Sequence, residues 1–172
     1  MIYEFSNLID ENLCDRLIEY FEHSQIKNDQ EVESFFYGRT ICFYEIKDII
    51  LRKKLEAFVH RVIQKSHVEY QEFIFPHFCN IVKWNSGMNM RSHIDNGIPE
   101  LDMRHYTSIC YLNDDYDGGE TFLPEHKYTC VPKKGKVLIF PSHYPHGVNL
   151  VKNNSRYTLA MWFTKNDEHI MK

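Results

Sequence analysis

Apolar positions along this chain follow two different periods, and the change falls near residue 70. In the first part they recur at helical spacing. Leu13, Leu17, Ile18 and Phe21 form one stripe, and Ile49, Ile50, Leu55, Val59, Val62 and Ile63 form a second. Asp10 or Asn7 can cap the first helix and Asp48 the second. Residues 25–34 are polar and predict a loop, whereas Phe35, Phe36, Tyr37, Ile41, Phe43 and Tyr44 predict an extended segment. From about residue 71 onward, short runs rich in β-branched and aromatic residues alternate with Ser86-Gly87, Asn96-Gly97, Gly118-Gly119, Lys134-Gly135 and Asn153-Asn154. This texture predicts a mainly β fold with flanking α. The expected architecture is a double-stranded β-helix, or jelly roll, over about 71–165, buttressed by N-terminal helices within about 1–70. With 172 residues and 43% apolar content, the chain suits one core, so a single domain over 1–172 is expected.

Two stretches of the β part are specific enough to read residue by residue. Val137, Leu138, Ile139 and Phe140, bounded by Gly135 and Pro141, predict a buried strand; Ser142 to Pro145 predict a turn, and His146 opens the next strand. In Arg156 to Phe163 the period is two. Tyr157, Leu159, Met161 and Phe163 share a core face, while Arg156, Thr158, Ala160 and Trp162 share the opposite one. A cation, a hydroxyl, a small residue and an indole on one face suit the lining of a ligand cavity.

The chemistry-bearing residues converge on the same region. His93 and Asp95 stand at i and i+2, where an extended backbone points both the same way, and His146 and Arg156 lie further on. Two imidazoles and one carboxylate can occupy one face of a ferrous ion and leave positions open for a co-substrate and dioxygen. A guanidinium grips a carboxylate through two parallel hydrogen bonds, so Arg156 suits the anchoring of a keto-diacid such as 2-oxoglutarate, with Thr158 as a further hydroxyl donor. Ten His and ten Asp in this length give about 0.6 H-x-D triplets by chance, so strand placement and flanking sequence carry the assignment. His143 competes with His146, but the tenth residue after it is Asn153, which offers no cation.

Several ordered stretches carry a resemblance. They are Tyr111-Leu112-Asn113-Asp114, Gly118-Gly119-Glu120-Thr121-Phe122-Leu123-Pro124, Pro132 through Pro141, His146-Gly147-Val148, and Arg156 through Phe163, with weaker likeness at Asn7 to Cys14 and Gly38-Arg39-Thr40. On them the chain resembles the 2-oxoglutarate and Fe(II)-dependent dioxygenases, and within these the prolyl 4-hydroxylase-like group. The resemblance implies Fe(II) held by His93, Asp95 and His146, with 2-oxoglutarate and O2 as co-substrates and ascorbate as a candidate reductant. It also implies hydroxylation of a C–H bond in peptidyl proline, with succinate and carbon dioxide as co-products. Tyr111 matches a position that hydrogen-bonds the distal co-substrate carboxylate, and Trp162 an aromatic on the substrate side. The chain departs from the pattern at Trp84 and Met90, where the family often has tyrosines. The aromatic segment 35–44 reads by itself more readily as core than as a ligand groove, whereas the resemblance makes it and the loop Asn96 to Arg104 the walls of a substrate groove, and the expected partner is a peptide or protein.

Charge narrows the alternatives. A net charge of −4 and the absence of any block of Lys or Arg build in no general attraction to nucleic-acid phosphates. An AlkB-like nucleic-acid demethylase and a non-catalytic metal-binding interaction module remain the competing readings. Cys14, Cys42, Cys79, Cys110 and Cys130 are odd in number and in no C-x-x-C pair, so they read as buried free thiols in a reducing compartment. With no apolar run long enough to span a membrane and no basic-then-apolar leader, a soluble, cytoplasmic protein is expected. Asp114, Asp115 and Asp117 read as a solvated hairpin tip, and oligomeric state is not legible.

Overall fold

The computed structural model describes residues 1–32 and 36–170. The chain runs β1 (Tyr3–Phe5), α1 (Glu11–His23), β2 (Asn28–Val32), β3 (Phe36–Cys42), α2 (Ile49–Tyr70), β4 (Phe75–Trp84) and β5 (Met90–His93). It continues through β6 (Tyr106–Tyr111), β7 (Asp117–Gly118), β8 (Thr121–Leu123), β9 (Tyr128–Cys130), β10 (Val137–Pro141), β11 (His146–Val148), β12 (Val151–Lys152) and β13 (Arg156–Thr164).

Both helices begin where an aspartate satisfies an otherwise orphaned backbone donor. The Leu13 N–H donates to the Asp10 carboxylate at 2.7 Å, and the Leu51 N–H to Asp48 at 2.9 Å. Asn7 is not the cap; it takes a left-handed backbone with φ 63°. Leu13, Leu17 and Phe21 of α1 meet Leu51, Leu55, Phe58, Val59 and Val62 of α2 in one core against the sheet. Ile49 and Ile50, expected in that stripe, are exposed instead, because Leu51 is the residue of the first turn of α2 that faces the core and its two predecessors lie on the other side of the helix.

Strand pairing produces a seven-stranded sheet in the order β1-β10-β6-β13-β4-β3-β2, a four-stranded sheet β5-β11-β8-β9, and the short pair β12-β7. Among the described residues the sheets form an open jelly-roll sandwich and do not join into a closed barrel. The N-terminal part is more than a helical buttress, since β1 extends one edge of the large sheet and β2 and β3 the other. The loop expected over residues 25–34 is corrected in the same way: Asn28–Val32 pair antiparallel with Phe36–Thr40. A polar segment can do this at a sheet edge, because ladder hydrogen bonds come from the backbone and charged edges discourage further pairing. Residues 33–35, including Phe35 of the expected aromatic segment, lie outside the described residues. Ile41 and Phe43 from that segment pack into the helix-side core rather than lining a groove.

The β13 alternation appears as expected. Tyr157, Leu159, Met161 and Phe163 face the helices, as do Cys79 and Ile81 of β4. Arg156, Thr158, Ala160 and Trp162 face a cavity, together with Asn80, Val82 and Trp84 of β4. No helix among the described residues is long and apolar enough to cross a membrane.

Candidate active site

The cavity between the two main sheets has a volume of about 320 Å³. His93 closes β5 and His146 opens β11, and their antiparallel pairing sets the two residues directly opposite each other, with ring centroids 4.5 Å apart. Asp95 lies beyond the strand, in a turn, so its approach does not come from an extended i, i+2 backbone. Its N–H donates to the Ser142 carbonyl at 2.9 Å, and this bond to the turn before β11 carries the carboxylate to the imidazoles. The possible ligand atoms of His93, Asp95 and His146 lie within 4.8 Å of one another. Among the described residues this is the one such group that could hold a metal ion. His143 stays outside it, exposed on the turn with its ring 4.9 Å from that of Tyr144.

The surroundings prepare the three side chains for metal binding. His93 Nδ1 lies 3.0 Å from the Arg91 carbonyl and His146 Nδ1 3.0 Å from the Tyr144 carbonyl. A carbonyl only accepts, so each Nδ1 carries the proton and each Nε2 keeps its lone pair. These Nε2 atoms lie 3.4 Å and 3.5 Å from the Asp95 carboxylate. Thr107 Oγ1 donates to Asp95 Oδ2 at 2.6 Å and Trp162 Nε1 at 2.8 Å, which fixes the carboxylate and leaves Oδ1 facing His93. Burial works against the Asp95 charge, yet in the metal-free site a proton taken up on His93 or His146 Nε2 would supply a hydrogen bond and a positive charge, and these with the Thr107 hydroxyl hold its carboxyl well below the usual range. Burial also lowers His146 and so favours the neutral, ligating form.

Arg156 occupies another part of the same wall. It is 1% exposed, yet no carboxylate among the described residues pairs with it. Its guanidinium carbon lies 5.0 Å from the Trp84 ring centroid and 5.2 Å from that of Tyr111, and one terminal nitrogen donates to Thr121 Oγ1 at 3.4 Å. The Arg156 Nε is buried without a hydrogen-bond partner. Space for this side chain depends on Gly119, where φ is +66° and a Cβ would stand 3.0 Å from Arg156 Cδ. Tyr111 is fully buried, and its hydroxyl donates to Thr121 at 2.8 Å. Burial pushes its phenol far above the ordinary range, so it remains a donor.

Each site residue expected from sequence therefore lies on or beside this cavity. Thr158 and Trp162 line it, as do the departures Trp84 and Met90, and Tyr111 supports Arg156 from behind. Leu101 and Arg104 of the expected loop wall line it too. The supporting hydroxyls Thr107, Thr121 and Ser142, and also Asn80, are not among the expected site residues, and Arg104 is expected only as the end of a loop wall, without a role of its own. Single hydroxyl, amide and guanidinium groups leave no spacing signal. Only the alternation of β4 marks Asn80 as sharing the Val82 and Trp84 face.

Comparison with known proteins agrees with this geometry. A stretch of mouse prolyl 3-hydroxylase 2 is 38% identical over 73 residues, covering 38% of this chain and 10% of that protein. Human prolyl 3-hydroxylase 3 is 37% identical over 78 residues, covering 41% and 11% respectively. The chain thus spans about a tenth of the length of these curated relatives. Among solved structures, a Pseudomonas putida prolyl-4-hydroxylase superposes with a TM-score of 0.75 at 18% identity, covering 96% of this chain and 92% of that one. A Trichoplax adhaerens prolyl hydroxylase in complex with a hypoxia inducible factor peptide fragment superposes at 0.77 and 16% identity, covering 98% and 85%. Residues 79–164, half of the chain and the part that holds every candidate ligand, match the 2OG-Fe(II) oxygenase superfamily, and the chain belongs to that family.

Proposed function

We propose that this oxygenase hydroxylates proline within a peptide or protein, with His93, Asp95 and His146 holding Fe(II) and Arg156 anchoring 2-oxoglutarate. The observation that carries the reading is the buried, carboxylate-free Arg156 on the cavity wall shared with the imidazole pair. A buried cation without an anion is costly, and a dicarboxylate entering the cavity would supply the missing partner. The donor set fits the metal: two neutral imidazoles and an ionised carboxylate, each oriented by a hydrogen bond outside the cluster.

Each residue then has a defined task. Arg156, with Thr158 beside it and Tyr111 and Thr121 behind, would bind the far carboxylate and orient the keto-acid end toward the metal ligands. Thr107 and Trp162 hold the Asp95 carboxylate at a fixed angle. Trp84, Val82 and Ala160 keep the cavity apolar and exclude water. Fe(II), when bound, supplies the chemistry by which dioxygen hydroxylates a C–H bond while 2-oxoglutarate is oxidised to succinate and carbon dioxide.

The peptide substrate is supported by the relatives, which are named as prolyl hydroxylases, and by the one solved with a bound peptide fragment. Their names include both the 3- and the 4-position of the ring, so the regiochemistry is part of the test. The pairing of β1 with β10 ties the N-terminus to the metal-binding half and supports one domain over 1–172. The five free thiols support a reducing, cytoplasmic setting.

Incubation with Fe(II), ascorbate, 2-oxoglutarate and proline-containing peptides should add about 16 Da to proline, with succinate released in equal amount. Fragmentation and NMR of the product then assign the ring position. Turnover only with a methylated oligonucleotide would move the protein to the AlkB-like class. Metal and 2-oxoglutarate binding without turnover of any substrate would make it a non-catalytic module.

A further inference from the structure

Two polar side chains in the cavity have no part in the scheme above. Arg104 lays its guanidinium over the Trp162 indole, with Cζ 4.3 Å from the ring centroid, and both side chains line the cavity. Its Nε is buried without a hydrogen-bond partner. The carboxylate whose field reaches it is Asp95, which is already engaged by Thr107, Trp162 and the two imidazoles. Asn80 faces Ala160 across the β4–β13 ladder, lines the same cavity, and its Oδ1 is likewise buried and unpartnered.

Position separates these groups from the co-substrate anchor. Arg156 and Trp162 lie at opposite ends of the cavity face of β13, roughly 20 Å apart along an extended strand. Trp162 touches Asp95, so Arg104 lies on the metal side, where a target C–H bond must come. The same cavity is lined on the apolar side by the exposed Ile94 and by Leu101.

A half-buried guanidinium held flat on an indole offers a fixed fork of donors and no acceptor, while a carboxamide offers one of each. Together they complement a carboxylate and a neighbouring peptide amide. We propose that Arg104 and Asn80 form the substrate subsite, and that it selects proline substrates with a carboxylate next to the target residue. This rests on the hydroxylase reading above. The carboxylate can come from an acidic side chain beside proline or from the C-terminus of a chain ending in proline.

The test is calorimetry on the full chain loaded with Zn(II) and 2-oxoglutarate, followed by hydroxylation assays with Fe(II). The probes are peptides in which proline is flanked by glutamate, glutamine or lysine, and proline-terminated peptides as free acid or amide. Wild type should bind the glutamate peptide over its glutamine counterpart, or the free acid over the amide, by about tenfold or more, as expected for a charge-assisted bond. Whichever pair differs identifies the source of the carboxylate. Arg104→Gln should abolish that preference, Arg104→Lys should restore part of it, and Asn80→Ala should weaken all peptides alike, with 2-oxoglutarate affinity unchanged. Equal binding of every peptide by wild type, or a preference that survives Arg104→Gln, would overturn the proposal. Should Arg104→Gln lose 2-oxoglutarate binding through misfolding, the wild-type series and Arg104→Lys decide. Failure of 2-oxoglutarate to bind at all counts against the hydroxylase reading, whereas binding without charge preference counts against this subsite alone.

Discussion

The indole N–H of Trp162 donates to Asp95 Oδ2 at 2.8 Å, which makes an aromatic residue of the cavity wall a support for the metal-binding carboxylate. Thr107 donates to the same oxygen. Removing one of two donors frees the carboxylate to rotate and weakens its grip on an ion. Trp162→Phe should therefore lower metal affinity about 10- to 100-fold. Titration with Co(II) or Zn(II), read by calorimetry, checks this, and an unchanged affinity would confine Trp162 to shaping the cavity.

His146 and His143 are three residues apart, yet only His146 joins the cluster, because it enters β11 opposite His93 while His143 remains on the turn. His146→Ala should abolish ferrous binding, and His143→Ala should leave it within about twofold, as for a surface substitution. The reverse result would sink the assignment.

Arg156 is buried without a carboxylate, so its replacement by an apolar side chain of similar length should cost the ligand-free protein little. For Arg156→Met the melting temperature without 2-oxoglutarate should match or exceed that of wild type, while the stabilisation by added 2-oxoglutarate disappears. Metal affinity should not change. Gly119→Ala should show the same loss of 2-oxoglutarate binding by crowding Arg156 Cδ, together with a destabilisation of about 1–3 kcal/mol from the left-handed backbone. Normal 2-oxoglutarate stabilisation in both variants would remove Arg156 from the anchor role.

Acid should destabilise the metal-free protein in two stages. His146 has a folded pKa below its ordinary 6.5, so the unfolded chain binds that proton more readily and stability falls as pH drops through and below 6.5. Asp95 also has a depressed pKa, so its contribution is present above the ordinary 3.8 and is lost only as pH falls further. Urea denaturation from pH 8 down to pH 2 follows the first stage and the onset of the second. In Asp95→Asn the second stage should shrink, and a flat profile in wild type would refute the linkage.

Much of this site was legible before the fold was known, because alternation along a strand is a local property. The period of two in β13 separated Arg156, Thr158, Ala160 and Trp162 from the residues that pack on the helices, and the structure divides them in the same way. Glycine and proline around Val137–Pro141 likewise marked a buried strand and the turn that delivers His146. Capping by Asp48 was readable for the same reason, since a helix start is a matter of four consecutive residues.

What lay beyond the sequence depends on contacts between residues far apart in the chain. The pairing of Asn28–Val32 with β3 overrode a polar composition, because backbone hydrogen bonds at a sheet edge are indifferent to side-chain polarity. Asp95 reaches the imidazoles through a bond to Ser142 rather than through strand geometry, and Thr107 and Trp162 reach Asp95 only once β6 and β13 are paired. The unpartnered donors and acceptors of Arg156, Arg104 and Asn80 are of the same kind. A lack of partners is a property of the folded neighbourhood, so local sequence named the ligand chemistry while tertiary packing decided which polar groups were left waiting for it.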